Sequence, residues 1–212
     1  MSIKKISTIG VLCAMAMVVN LLIHFPLVPA ASFMNYDPKD IVIVIGGFTM
    51  GPMTVVIMSL ICSVLELMYR GGTVIDLIMN VFSTCAFACT AAVIYKKKHT
   101  KKGALLALVA GVAVSVVVMM LWNYLVTPIY YNMPREALMP MMPAIFLFNA
   151  LKYGLNAAIT LALYKPLVSI LRKSSLLEKH GNEKGAGKEL ALLGLFLTAT
   201  IIGIILAVQG II

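Results

Sequence analysis

The chain has 212 residues, of which 61% are hydrophobic and 12% charged, with 17 Lys and Arg against 8 Asp and Glu. A soluble domain carries about 25% charged residues, so a mean hydropathy of +1.01 excludes a water-soluble globular protein and marks an integral membrane protein. The net charge of +9 does not point to nucleic acid, because the basic residues lie in loops between apolar runs. There they set topology and meet the anionic headgroups of the lipid bilayer.

In chain order, apolar runs of helical length occupy 6–27, 53–69, 74–95, 104–126, 144–171 and 190–212. Each approaches or exceeds the ~20 residues that a helix needs to cross the hydrocarbon core. Lys4 and Lys5 precede the first run with no small-x-small exit after it, so the segment reads as a retained helix and not as a cleaved signal. Between the first two runs lies a shorter one, 41–50, followed by Gly51-Pro52. Charge decides its status. The basic loop YKKKHTKK (95–102) and the Lys4-Lys5 end both belong on the cytoplasmic side, so an even number of crossings separates them. The run 41–50 supplies the missing crossing as a short or partly embedded helix, with Pro52 in the first turn of the next.

The expected architecture is therefore an all-α compact six-helix bundle over 1–173, whose second helix is short. A polar cytoplasmic linker, 174–188, and an additional C-terminal transmembrane helix, 189–212, complete it. Loops 32–40, 70–73 and 127–143 fall outside the cell, the N-terminus inside, and the end of the seventh helix outside. That helix carries no ionisable group after Glu189 and reads as an appended, lipid-facing anchor.

This topology gathers the polar residues of the spans in the outer half. Asn123 stands in WNYLVTP at the outer end of one span; Asn149 and Lys152 share a face of the next at i,i+3; Asp76 and Asn80 lie at i,i+4 in the fourth span. Tyr36, Asp37, Lys39 and Asp40 stand on the first outer loop, with Asp40 expected to cap the following helix. An ionisable residue at membrane depth is costly and usually faces a bundle interior or cavity. Structural alternatives exist for each group: Asn123 in an aromatic interface belt, Asn149 as an interhelical hydrogen bond, Lys152 snorkelling to the interface. Taken together, two amides and an ammonium suit a neutral, hydrogen-bonding small molecule. No carboxylate chain suited to ion coupling is apparent in the spans, and no Ser/His, His/Glu or paired-Asp constellation suggests an enzyme. Cys13, Cys62, Cys85 and Cys89 lie in apolar segments without His or carboxylate neighbours, so no metal site is expected. Near the cytoplasmic end of the first helix, Ser7, Gly10, Ala14 and Ala16 form a small-residue stripe that suits close helix approach, within the bundle or to a partner.

The pieces FMNYDPKDI, GGFTMGP, YKKKHTKKGALLAL, WNYLVTPIY and LFNALKYGLNAAITLALYKPL resemble, in order over about residues 5 to 172, the substrate-binding (S) components of energy-coupling factor (ECF) vitamin transporters, specifically the riboflavin-specific ones. The resemblance implies a six-helix bundle that binds riboflavin from outside as transported ligand, with no cofactor and no ATPase of its own. A transmembrane coupling protein and two cytosolic ATPase subunits would supply the power stroke, with the S component toppling in the plasma membrane to release the vitamin inward. Carried over by motif, Asn123, Asn149 and Lys152 would contact the flavin, with Tyr36, Asp37 and Asp40 in the loop over the pocket; Asp76 joins the candidates by its place at the outer end of the fourth span. Gly10, Ala14 and Ala16 would dock on the coupling protein. The third span departs from the family pattern, ending in Glu66 and Arg70 in place of a Lys-Asn pair. An S component for another flavin or vitamin is the alternative within transport, and a structural membrane protein the alternative outside it.

Overall fold

The computed structural model describes residues 2–174, 176 and 187–211. Its elements are α1 (Ile3–Leu22), a 3-10 turn (Pro29–Ala31), α2 (Lys39–Met50), α3 (Pro52–Arg70), α4 (Val74–Lys97), α5 (Lys101–Tyr130), the short α6 (Arg135–Leu138), a second 3-10 turn (Met139–Met141), α7 (Met142–Lys173) and α8 (Gly187–Val208). Among the described residues five helices are long and apolar enough to cross a membrane, namely α1, α3, α4, α5 and the segment containing α7. The expected linker 174–188 lies for the most part outside the described residues.

The short second helix is the centre of the bundle. α2 has 12 residues, about 18 Å at 1.5 Å per residue, shorter than a usual span, yet it carries the chain from loop one back to the start of α1, where Lys5 Nζ donates to Met50 O at 3.2 Å. Its sequence, KDIVIVIGGF, has no polar stripe after the first turn, and a helix apolar all round belongs inside a protein. Accordingly every residue from Lys39 to Phe48 is buried, packed by α1, α3, α4 and α7. Lipid offers no hydrophobic drive for helix association, so small residues and close packing must supply it. Gly46 and Gly47 serve that need. A Cβ on Gly46 would sit 2.6 Å from Met58 Sδ, and one on Gly47 would collide with Val55 and approach Ala92 Cβ to 3.1 Å. α2 and α3 meet at Gly51, whose φ of +94° and ψ of 169° suit glycine alone; Pro52 then opens α3 at a position needing no N–H donor.

Helix ends differ from the sequence expectation where proline acts. α1 stops at Leu22, short of the apolar run's end at 27, because Pro26 disfavours helix in the residue before it. Asp40 is not the cap of α2: Pro38 holds that position, and Asp40 sits in the first helical turn. Residues 23–38 form loop one, folded back on itself by a bridge between Pro26 and Asn35 and by Tyr36 N–H donating to Phe25 O at 2.9 Å. Leu27, Val28, Ala31 and Tyr36 of this loop form an apolar cluster with Phe148, Leu151 and Leu155 of α7.

α8 packs along α7. One side of it is exposed, with Leu192, Leu195 and Phe196 at 66%, 58% and 69%, as suits contact with lipid. The other side brings Gly194 against the α7 backbone.

The close packing of α2 yields a direct test. Gly47→Val should lower stability by about 1–3 kcal/mol through overpacking, seen as a reduced thermal midpoint in detergent. Gly10→Ala, where an added Cβ meets nothing within 4 Å, should leave the midpoint unchanged.

Candidate functional site

At the loop-one end of the bundle lies a cavity of about 300 Å³, at the lower end of the roughly 300–1,000 Å³ usual for small-molecule sites. Its walls come from loop one, α3, α4, α5 and α7. Apolar and aromatic surface is supplied by Ile75, Met79, Met119, Trp122, Val126 and Phe148. Polar surface is supplied by Asp37, Glu66, Asn80, Asn123, Asn149 and Lys152, among others.

The polar groups are arranged around one buried carboxylate. Asp37, 6% exposed, is paired through Oδ1 with Lys152 Nζ at 2.5 Å and through Oδ2 with Lys39 Nζ at 2.8 Å. Lys39 is fully buried and also pairs with Glu66 Oε2. Its third donor goes to Asn80 Oδ1 at 3.0 Å. Asn80 Nδ2 donates in turn to Glu66 Oε2 at 3.0 Å. The other oxygen of Glu66 accepts from Arg70 at 2.5 Å, and Arg70 donates to Asn20 O at 3.0 Å. The ammonium of Lys39 thus has all three donors engaged, which is the condition for keeping a charge out of water.

The two amides are held by their own helices. Asn149 Nδ2 donates to Ile145 O at 2.8 Å, and Asn123 Nδ2 to Met119 O at 2.8 Å. Thr127 donates to Asn123 Oδ1 at 3.0 Å, whereas Asn149 Oδ1 has no partner among the described residues. Back-bonding of this kind fixes the rotamer and leaves the rest of the amide for a ligand. Asp76 closes a capping box with Thr73, accepting from Thr73 N–H at 2.7 Å, and accepts from Tyr130 OH at 2.9 Å. Its side chain therefore fastens α4 to the end of α5 while also lining the cavity.

Of the residues singled out from sequence, Asp37, Asp76, Asn123, Asn149 and Lys152 line this cavity together. Tyr36 and Asp40 do not. Tyr36 is buried against α7 with its hydroxyl donating to Asn156 Oδ1 at 2.7 Å, and Asp40 accepts from Thr84 at 2.7 Å behind the wall. Both support the site from outside it. On α1, Gly10 and Ala14 are exposed, but Ala16 is fully buried in the core and faces away from them. It is not part of the same surface.

Sequence reading missed Lys39, Glu66, Asn80 and Arg70 as one system, and with them a buried carboxylate on α3. Lys39 reads as an outer-loop charge beside two aspartates, and Glu66 with Arg70 reads as an i,i+4 pair at a helix end. The available signal was Lys39 opening the apolar 41–50 run, with Glu66 and Arg70 at the outer end of the span that follows it.

Comparison with known proteins identifies the family. The family described as ECF transporter, substrate-specific component, matches residues 4–164. The chain belongs to that family. It is 27% identical over 177 residues to the riboflavin transporter RibU of Staphylococcus aureus, covering 80% of this chain and 93% of that protein. It is 29% identical over 182 residues to the riboflavin transporter RibU of Streptococcus thermophilus, covering 80% and 85%. A solved structure, described as the S component of a bacterial ECF transporter, matches with a TM-score of 0.71 at 26% identity, covering 80% of this chain and 98% of that one. The protein is thus a transporter substrate-specific component and not an enzyme.

Charge at loop one has a definite pH signature. Burial alone would raise the Asp37 carboxyl; the Lys152 and Lys39 ammoniums outweigh it and hold Asp37 well below the usual carboxylate range. A depressed folded-state pKa means that its contribution is fully present above the unfolded value, about 3.9, and is lost as pH falls through the folded value. The stability difference between wild type and Asp37→Asn should therefore stay constant from pH 8 to about pH 5 and shrink only in stronger acid, as read by thermal unfolding in detergent.

Proposed function

We propose that the protein is a high-affinity riboflavin-binding subunit that mediates vitamin uptake together with an ATP-driven coupling module. The observation that carries this reading is a cavity whose lysine and arginine are already paired with carboxylates. Lys152 with Asp37 and Arg70 with Glu66 neutralise each other on the wall, and Lys39 stands behind them. Among the described residues no lining lysine or arginine is left unpaired for a phosphate. Hydrogen-bonding capacity remains in the Asn149 amide and in the ammonium donors of Lys152 not directed at Asp37. A neutral ligand with a flat aromatic ring system and a hydroxylated chain fits such a lining. Riboflavin is one, and the relatives named riboflavin transporters support it over other vitamins. A phosphorylated flavin would add charge beside three lining carboxylates, Asp37, Glu66 and Asp76.

The same reading orients the molecule. Lys4, Lys5 and the 95–102 cluster lie on the cytoplasmic side of a prokaryotic plasma membrane, the cavity opens outward, and α8 ends outside. Residues 1–173 act as the S-component unit and α8 as an addition to it. Power comes from a transmembrane coupling protein and two cytosolic ATPases, and the exposed Gly10 and Ala14 allow a partner helix to approach α1 closely.

Riboflavin fluorescence should be quenched on titration with the purified protein, saturating at one ligand per chain, and FMN should bind more weakly. Lys152→Ala and Asn149→Ala should each weaken riboflavin binding by about 1–3 kcal/mol, the cost of an unmet hydrogen bond in a closed site. Absence of quenching in the wild type would refute the ligand assignment and leave the family standing. In cells carrying the coupling module, Gly10→Leu should abolish uptake while riboflavin affinity is retained; uptake at wild-type levels would remove the docking role.

A further inference from the structure

Loop one contributes Phe33, Met34, Asn35 and Asp37 to the cavity wall, yet a single 3-10 turn is its only helical structure. A segment of that kind stays in place through anchors. On one side the anchor is Asp37, held by Lys39 and Lys152. The anchor on the other side comes from α8, which begins at Gly187, beyond the span 4–164 that matches the family.

Four contacts fix the path of α8 and its end. Gly194 lies so close to α7 that a Cβ there would stand 2.6 Å from Ala158 O and from Ala162 N. One register further on, Ile201 reaches Gly154, with its Cδ1 3.5 Å from the position of a Cβ on that glycine. At the far end Ile205, 4% exposed, enters the apolar cluster that holds Leu27, Val28, Ala31 and Tyr36 of loop one against Phe148 and Leu151. Gln209 then donates from Nε2 to Pro26 O at 2.9 Å, across 183 residues of sequence.

A lipid anchor needs none of this polar contact. Thr198 and Thr200 bond back to carbonyls of α8 itself, at Gly194 O and Phe196 O. Among the described residues of α8 and its end, Gln209 is the one whose side chain hydrogen-bonds to another element, and the loop residue it reaches, Pro26, is bridged to Asn35 on the cavity wall.

We propose that α8 is a strap for loop one, with Gln209 and Ile205 as positioning residues: it holds the Pro26–Asn35 hairpin over the cavity and so slows departure of the ligand. The strap itself is independent of what the ligand is; its kinetic consequence rests on the riboflavin reading.

The test uses the full chain with two substitutions. Gln209→Leu removes the donor at nearly constant size, and Gly194→Leu pries α8 from α7. In the unliganded protein, amide hydrogen exchange over residues 25–37 should quicken about fivefold in Gln209→Leu, as loss of one hydrogen bond of about 1 kcal/mol implies, and more in Gly194→Leu. Riboflavin release, followed by recovery of its fluorescence on dilution, should quicken in parallel while association changes little. Unchanged exchange in both variants overturns the strap whatever the ligand does. Faster exchange with wild-type riboflavin release overturns the kinetic role. If Gly194→Leu does not fold, Gln209→Leu decides alone. If the wild type fails to bind riboflavin, that failure belongs to the ligand assignment, and the exchange measurement still decides whether α8 holds the loop.

Discussion

Asp37 is one carboxylate between two ammonium groups, at 2.5 Å from Lys152 and 2.8 Å from Lys39, and three parts of the molecule meet there. Loop one contributes the acid, α2 one base and α7 the other. Taking such charges out of water costs several kcal/mol per ion unless each is paired and hydrogen-bonded, so the three elements are tied to a single mutual arrangement. Glu66 extends the tie to α3, Asn80 to α4, and Arg70 through Asn20 O to α1. A short helix carrying a fully buried lysine can sit at the centre of an apolar bundle only because these partners converge on its first turn.

That arrangement also defines what the cavity offers. With Lys152 and Arg70 spent on carboxylates, the wall offers a few oriented donors and acceptors beside aromatic and methionine surface. Selectivity of this kind favours ligands recognised by hydrogen bonds and ring contact, and disfavours ions. The chain belongs to the substrate-specific components of ECF transporters, and its α1 presents small exposed residues at its opposite end from the cavity.

Much of the fold was legible because lipid imposes simple rules. Span length and basic loops point to the helices, and crossing parity requires the 41–50 run as a further crossing although it is shorter than a usual span. Asn123, Asn149 and Lys152 stand out because polar groups are rare at depth, and Asp37 as a charge on the first outer loop. What the sequence could not display was pairing between distant residues: Lys39 with Glu66 is a contact across 27 positions, and each alone resembles an ordinary interface charge. Tyr36 and Asp40 adjoin Asp37 in sequence yet make their contacts outside the cavity, with Asn156 and Thr84, since nearness in sequence does not decide which side of a wall a side chain occupies. Ala16 lies two residues from the exposed Ala14 and so on another face of α1. The role of α8 was hidden because an apolar helix reads alike whether its far end meets lipid or a loop.

The central claim, that a cavity with its lysine and arginine already paired is a hydrogen-bonding site for riboflavin, is tested most directly by the visible absorbance of the protein purified from cells supplied with the vitamin. The account predicts yellow protein carrying flavin at close to one per chain, identified on extraction as riboflavin and not its phosphate, and largely lost from the Asn149→Ala, Lys152→Ala double variant. Colourless wild-type protein, or flavin retained in full by the double variant, would contradict it.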